Sequence, residues 1–238
     1  MEPRLGRQPE LRFPLIRKST WFRTLALCQS PEQLRKLMAL IPLWRDTGNK
    51  FDPEFSEAFI RRSIYVNKPG IAVELFNNYA KYNVELTLRG ARELLNASYD
   101  TRPLSFIISI TSLYDVYKLP PVAEDFPSCA MVVAACLKNK TEHGQVIGNA
   151  LLPHLRTLAQ QQCPVPMPKG QEVGWKLPLV YLGRAMKRIE GRLPEDEKGQ
   201  DVKRDRVRLL IVILNFTPDT KLGSLATTFM VGAVPAAP

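Results

Sequence analysis

Residues 21–44 read WFRTLALCQSPEQLRKLMALIPLW, residues 56–79 read SEAFIRRSIYVNKPGIAVELFNNY, and residues 91–114 read ARELLNASYDTRPLSFIISITSLY. Laid over one another at a step of 35 residues, the three segments agree in five columns. Leu25, Ile60 and Leu95 form the first, and Cys28, Ser63 and Ser98 the second. Leu37, Ala72 and Ile107 follow, then Leu40, Leu75 and Ile110, then Trp44, Tyr79 and Tyr114. Columns of large apolar, small and aromatic residues at this period are the mark of stacked helix pairs, each burying its apolar face against its neighbours. Such arrays bind partners along an extended surface, so the period predicts binding in place of chemistry.

Helix signals fall where the period puts them. Ser19 and Thr20 can cap a first helix running to about Cys28. Ser30-Pro31-Glu32 opens a second, with serine at the N-cap and proline at the first helical position. Leu34, Leu37, Met38, Ile41 and Leu43 give it an apolar stripe, and Thr47-Gly48-Asn49 stops it after Asp46. The next pair starts at Asp52-Pro53, turns at Asn67-Lys68-Pro69-Gly70, and continues from Ile71 to about Tyr82-Asn83 as one helix. A third pair spans Thr87 to Tyr99 and Pro103 to Tyr117. The β-branched run around Ile107, Ile108 and Ile110 makes a strand the competing reading there, and the repeat register favours helix. A fourth pair, Asp125 to about Lys138 and Glu142 to Gln162, slips in spacing and lengthens, as a terminal repeat does.

The predicted fold is therefore all-α: a right-handed solenoid of about four helix-turn-helix repeats over residues 19–162. It follows a basic arm or targeting segment at 1–18 and precedes a proline-rich linker at 163–175. A basic extension occupies 176–238, with a helix from Leu177 to about Leu193, a charged loop at Glu195 to Asp205, an apolar stretch at Val207 to Phe216, and a disordered tail from Val231. The net charge of +10 is unevenly placed. Residues 1–50 hold ten Lys/Arg against four Asp/Glu, residues 51–162 eleven of each, and residues 163–238 twelve against eight. Phosphate affinity is thus expected at the ends, through Arg4, Arg7, Arg12, Arg17 and Lys18 and through Lys203, Arg204, Arg206 and Arg208. Such contacts give affinity without sequence choice. The Arg-rich first 25 residues also have the character of a mitochondrial targeting peptide, although Glu2, Glu10 and three prolines fit a retained arm equally well.

The stretch Gly70 to Thr87, GIAVELFNNYAKYNVELT, resembles the second half of a pentatricopeptide repeat. Ala72, the Leu75-Phe76 pair, the large apolar Tyr79 and the polar exit at Leu86-Thr87 carry the resemblance, which extends over residues 19–162, about 60 per cent of the chain. In that family a repeat can read one RNA base through side chains at fixed places. The resemblance puts those places at about Glu57 and Thr87. An acid there departs from a base reader's pairing and would repel phosphate, which implies a scaffold kept and a code lost. In overall style the chain also resembles the helical subunits of mitochondrial ribosomes, particularly the small subunit in fungi. That implies a structural ribosomal protein of the mitochondrial matrix, contacting ribosomal RNA with its termini and neighbouring ribosomal proteins with its solenoid. A free-standing organellar RNA-processing or translation factor, or a helical-repeat adaptor for proteins alone, are the alternatives.

Reaction chemistry has little to stand on. No phosphate-binding glycine loop is present, and Gly144 and Gly148 read as helix breaking or close packing. His143 and His154 are eleven apart without a second ligand at helical spacing. Cys28, Cys129, Cys136 and Cys163 follow no disulfide or zinc pattern, and Cys129 and Cys136 share one helix face as buried thiols. Glu195-Asp196-Glu197 is a solvated charge run. The column Trp44, Tyr79, Tyr114 is read as repeat core over a base-stacking stripe. No enzyme activity, cofactor, metal or membrane span is expected.

Overall fold

The computed structural model describes residues 4–7, 16–139, 141–161 and 172–192, and among these it holds ten helices and no strand. They are α1 (Lys18–Leu27), α2 (Pro31–Asp46), α3 (Pro53–Tyr65), α4 (Gly70–Asn77), α5 (Tyr79–Tyr82), α6 (Leu88–Ser98), α7 (Leu104–Val116), α8 (Phe126–Asn139), α9 (Glu142–Gln161) and α10 (Glu172–Arg192). The chain divides into two compact units, residues 1–128 and 129–238, with the division inside α8.

In the first unit α1, α3 and α6 pack one against the next, as do α2, α4 and α7, and each pair α1–α2, α3–α4 and α6–α7 is also in contact. The columns of the sequence are its interior. Leu25, Ile60 and Leu95 are buried, and so are Cys28, Ser63 and Ser98, Leu37, Ala72 and Ile107, and Leu75 and Ile110. Each buried Leu or Ile contributes about 1.5–3 kcal/mol through area removed from water. Trp21, Trp44, Phe51 and Phe55 fill the base of the first pair, with Trp21 and Trp44 ring centroids 5.6 Å apart and Phe51 stacked on Phe55 at 4.0 Å.

The helix boundaries repeat as well. Ser30 and Gln33 form a capping box at the start of α2, Ser30 Oγ accepting from the Gln33 amide at 3.3 Å. Arg17, Asp52 and Thr87 are the extended N-caps of α1, α3 and α6, at the 35-residue step. Gly48, Asn83 and Lys118 fall at that same step after α2, α5 and α7, and all three take a left-handed backbone, with φ of 82°, 50° and 53°. A left-handed residue past the last turn lets the chain reverse while its amide satisfies an open helical carbonyl. The Gly48 amide donates to Arg45 O, that of Asn83 to Tyr79 O and that of Lys118 to Asp115 O.

Three expectations need correction. The helix from Ile71 to Tyr82 is broken at Asn78 (φ −114°, ψ 60°) into α4 and α5. The break turns Tyr79 outward, so it is 43% exposed while Trp44 and Tyr114 of the same column are buried. Part of the arm at 1–18 is attached to the body: Leu5 is buried, and the Gly6 amide donates to Leu43 O at 3.1 Å. Finally, α10 begins at Glu172, inside the expected linker 163–175. The competing strand over residues 107–114 is excluded, since α7 is helical throughout.

The second unit is shown by α8, α9 and α10. Cys129, Ala130, Met131, Val133, Ala134, Ala135 and Cys136 make α8 almost wholly buried. Gly148 of α9 meets it so closely that an added Cβ would lie 3.3 Å from the Cys136 Cβ, which is the close-packing reading of this glycine. Arg192 at the end of α10 donates to Ala134 O at 2.8 Å.

Candidate functional site

The positions that the resemblance marks as base-reading lie on the N-terminal edge of α3 and α6. Glu57 is the fifth residue of α3, and Thr87 is the N-cap of α6. They meet each other directly: Thr87 Oγ1 donates to Glu57 Oε1 at 3.0 Å and accepts from the Gly90 amide at 3.0 Å. The Arg89 guanidinium lies 3.6 Å from Glu57 Oε2. The site is arranged by packing. A Cβ on Gly90 would stand 2.7 Å from Ile60 Cδ1, so any other residue would force the Ile60 side chain to shift in the seam between α6 and α3.

One step along, the same relation recurs with the chemistry reversed. Arg92, fifth in α6 and 35 residues after Glu57, reaches Asp125 before α8. Arg92 Nε donates to Asp125 Oδ2 at 3.0 Å, and Arg92 Nη2 donates to Oδ1. Asp125 also accepts from the Ser128 amide at 3.3 Å and from Ser128 Oγ, as an N-cap does. Because Ser128 Oγ gives its proton to Asp125, the Tyr114 hydroxyl 2.8 Å away is the donor to Ser128. Burial pushes the Tyr114 hydroxyl far above the ordinary phenol range, so it stays a protonated donor.

Three further arginines are committed as well. Arg45 Nη1 donates to Ala80 O at 2.6 Å and Lys81 O at 2.8 Å, Arg102 Nη2 to Asn67 O at 3.1 Å, and Arg62 Nη2 to Ala26 O. Each guanidinium thus satisfies carbonyls at or just past a helix C-terminus about one repeat away, where the macrodipole also favours a cation. These three arginines are spent on backbone carbonyls 35 or 36 residues away in the sequence. These clamps escaped the sequence reading. The signal was there, since Arg45 to Ala80 and Arg102 to Asn67 are again 35 residues.

The terminal basic residues divide. Arg4, Arg7 and Arg17 are exposed. Lys18 belongs to α1, and its ammonium is 2.9 Å from Asp52 Oδ2 in a half-exposed ion pair, so it is partly neutralised at home. Arg12, Lys203, Arg204, Arg206 and Arg208 lie outside the described residues, as do Cys163 and the acidic run Glu195-Asp196-Glu197. His143 and His154 are exposed on α9, and no cluster of metal-ligating side chains occurs among the described residues. Cys28, Cys129 and Cys136 are buried and in no disulfide, and burial pushes Cys136 up to about 11, away from the reactive thiolate. Among the described residues no helix is long and apolar enough to cross a membrane.

A further surface was not foreseen. Between α1 and α3 runs a groove of about 510 Å³ with an apolar floor of Phe22, Leu25, Ala26 and Ala58, edged by Arg61 and Tyr65. Phe22 stands one 35-residue step before Glu57, so the position that carries a polar bridge between α3 and α6 is apolar here. No protein-family model, curated protein or solved structure matches this chain.

Proposed function

We propose that this chain is a structural component of a mitochondrial ribonucleoprotein, the small ribosomal subunit, built on a right-handed solenoid of about four pentatricopeptide-like repeats. The solenoid binds neighbouring ribosomal proteins, and the basic termini hold ribosomal RNA by its backbone. One observation carries the division of labour: the would-be reading positions Glu57 and Thr87 are hydrogen-bonded to each other, and Arg92 at the next step is spent on Asp125. The one hydroxyl proton of Thr87 is spent on Glu57, so a base edge would meet an anionic, acceptor-rich pair in place of a free amide or hydroxyl donor. RNA affinity then falls to the exposed Arg4, Arg7 and Arg17 and to the cluster Lys203, Arg204, Arg206 and Arg208.

Sedimentation tests the reading. The chain is expected to stay with the mitochondrial small subunit through a high-salt wash, whereas a free-standing processing or translation factor washes off. Isolated protein should bind RNA with an affinity that falls steeply as salt rises, through counterion release; a protein-only adaptor would show no such binding. Changing Lys203, Arg204, Arg206 and Arg208 together to Gln should leave folding intact and weaken assembly. Undiminished assembly would remove that cluster from the proposal.

A further inference from the structure

From the groove between α1 and α3 we infer a docking site for an acidic amphipathic helix of a neighbouring protein. The inference rests on the scaffold reading above and names the partner chemistry it leaves open. Three observations converge. The floor is aliphatic and aromatic, and its volume of about 510 Å³ admits a row of large apolar side chains. Tyr65 stands at its edge 71% exposed, with the Arg62 guanidinium 4.8 Å from its ring centroid holding one face in place. An exposed, preorganised aromatic beside an apolar floor is an anchor of the kind that interfaces use and bare surfaces avoid.

Charge decides the partner. α1 contains no acidic residue, Arg23 and Arg61 are exposed, and the lining contains arginine but no carboxylate. Of the acids around it, Asp52 is paired with Lys18 and Glu57 with Thr87 and Arg89, while Glu54, exposed one turn before Ala58, is outnumbered by Arg23, Arg61 and Arg62. Between α3 and α6, by contrast, charges of both signs meet, Glu93 being attracted by Arg61 and Arg89 and repelled by Glu57. Arg61 is shared with Glu93, yet Arg23, Arg61 and Arg62 outnumber Glu54, so the groove offers a net positive rim around an apolar floor, the complement of a helix with an apolar stripe flanked by Glu or Asp. RNA fits less well. Arg62 is turned to Ala26 O, one face of Tyr65 is covered, and a strand would have to lay its phosphates along an aliphatic surface.

The probe is a blocked peptide of about 18 residues, with leucine at helical spacing and glutamate on both flanks, titrated into the full-length chain by fluorescence anisotropy. A lysine-flanked copy and an oligo(U) RNA are the comparison ligands. The glutamate peptide should bind about tenfold more tightly than the lysine peptide, and Arg61→Glu and Tyr65→Ala should each weaken it about tenfold. Both residues are exposed, and unchanged melting of the variants separates lost binding from lost folding. Equal binding of the two peptides, binding of neither, or indifference to both substitutions overturns the site. So does oligo(U) binding that Tyr65→Ala abolishes, which would make the groove an RNA surface. Sedimentation answers separately: a chain that washes off the small subunit refutes the ribosomal assignment while the peptide result stands. A chain that stays on but does not tell the peptides apart refutes the groove alone.

Discussion

Replacing Arg92 by Met tests the link between repeats most directly. Arg92 and Asp125 have side chains 22% and 6% exposed, so the pair is shielded from water. The substitution preserves the aliphatic stem and removes both guanidinium hydrogen bonds. Asp125 is then left as a buried carboxylate holding only the Ser128 amide and hydroxyl. Breaking a buried pair by deleting one partner costs about 3–5 kcal/mol, because the remaining charge is desolvated without compensation. The exposed pair Arg35–Glu74 is the internal control, with side chains 58% and 44% exposed. Arg35→Met there should cost no more than about 1 kcal/mol, since solvent and salt screen it.

Urea denaturation of the full chain, followed by helical circular dichroism, reads both. Arg92→Met should move the midpoint down several times further than Arg35→Met at a similar slope. In the double variant Arg92→Met, Asp125→Asn the charge disappears while the amide can still cap α8, so part of the loss should return. The coupling energy is expected to be at least about 2 kcal/mol. A cost of less than about 1 kcal/mol for Arg92→Met, or additive behaviour in the double variant, would refute the claim that this pair ties α6 to the turn at Asp125.

Phe76→Ala or Leu75→Ala should cost about 2–5 kcal/mol by opening a cavity in the first unit, visible as a lowered melting temperature. Ser98 carries a buried hydroxyl with no hydrogen-bond partner, so Ser98→Ala should stabilise the protein by about 1 kcal/mol, in contrast to the usual sign of a core change. Lys118 holds φ at 53°, a conformation costly for a residue with a Cβ, and Lys118→Gly should raise stability by about 1 kcal/mol. Burial raises the carboxyl of Glu93 above its ordinary value of 4.5, ahead of the opposing pull of Arg61 and Arg89, so folding prefers its protonated form. That preference is fully present below the unfolded value and lost as pH rises through the folded one. Glu93→Gln should therefore gain stability over the parent at pH 7 and lose the advantage below pH 4.

Local chemistry made much of the fold legible. Ser30, Pro31 and Gln33 announce α2, and Gly48 announces its end, because a cap and a left-handed turn each demand particular atoms. Later copies of the same turn use Asn83 and Lys118, where the left-handed backbone is imposed by the helices on either side and the residue type no longer reports it. Tyr79 was misplaced for a related reason. Its column predicts burial, but the break at Asn78 is set by packing, and nothing in the local sequence demands it.

The candidate site shows where the reading stops. Spacing alone brought Glu57 and Thr87 forward as a pair of positions, yet whether they face a ligand or each other depends on how near α6 comes to α3. In the seam between them stands Gly90, a residue that weakens an isolated helix by about 1 kcal/mol relative to alanine. Its use becomes evident only beside Ile60, whose methyl occupies the space where a Cβ would stand. In that seam the Thr87 hydroxyl reaches Glu57 while still capping α6. At the corresponding place in α1 stands Phe22, which can form no such bridge, and there the surface stays open and apolar. A single column at the 35-residue step, Phe22, Glu57, Arg92, thus separates the open apolar groove beside α1 from the two places where a polar side chain reaches across to the next element.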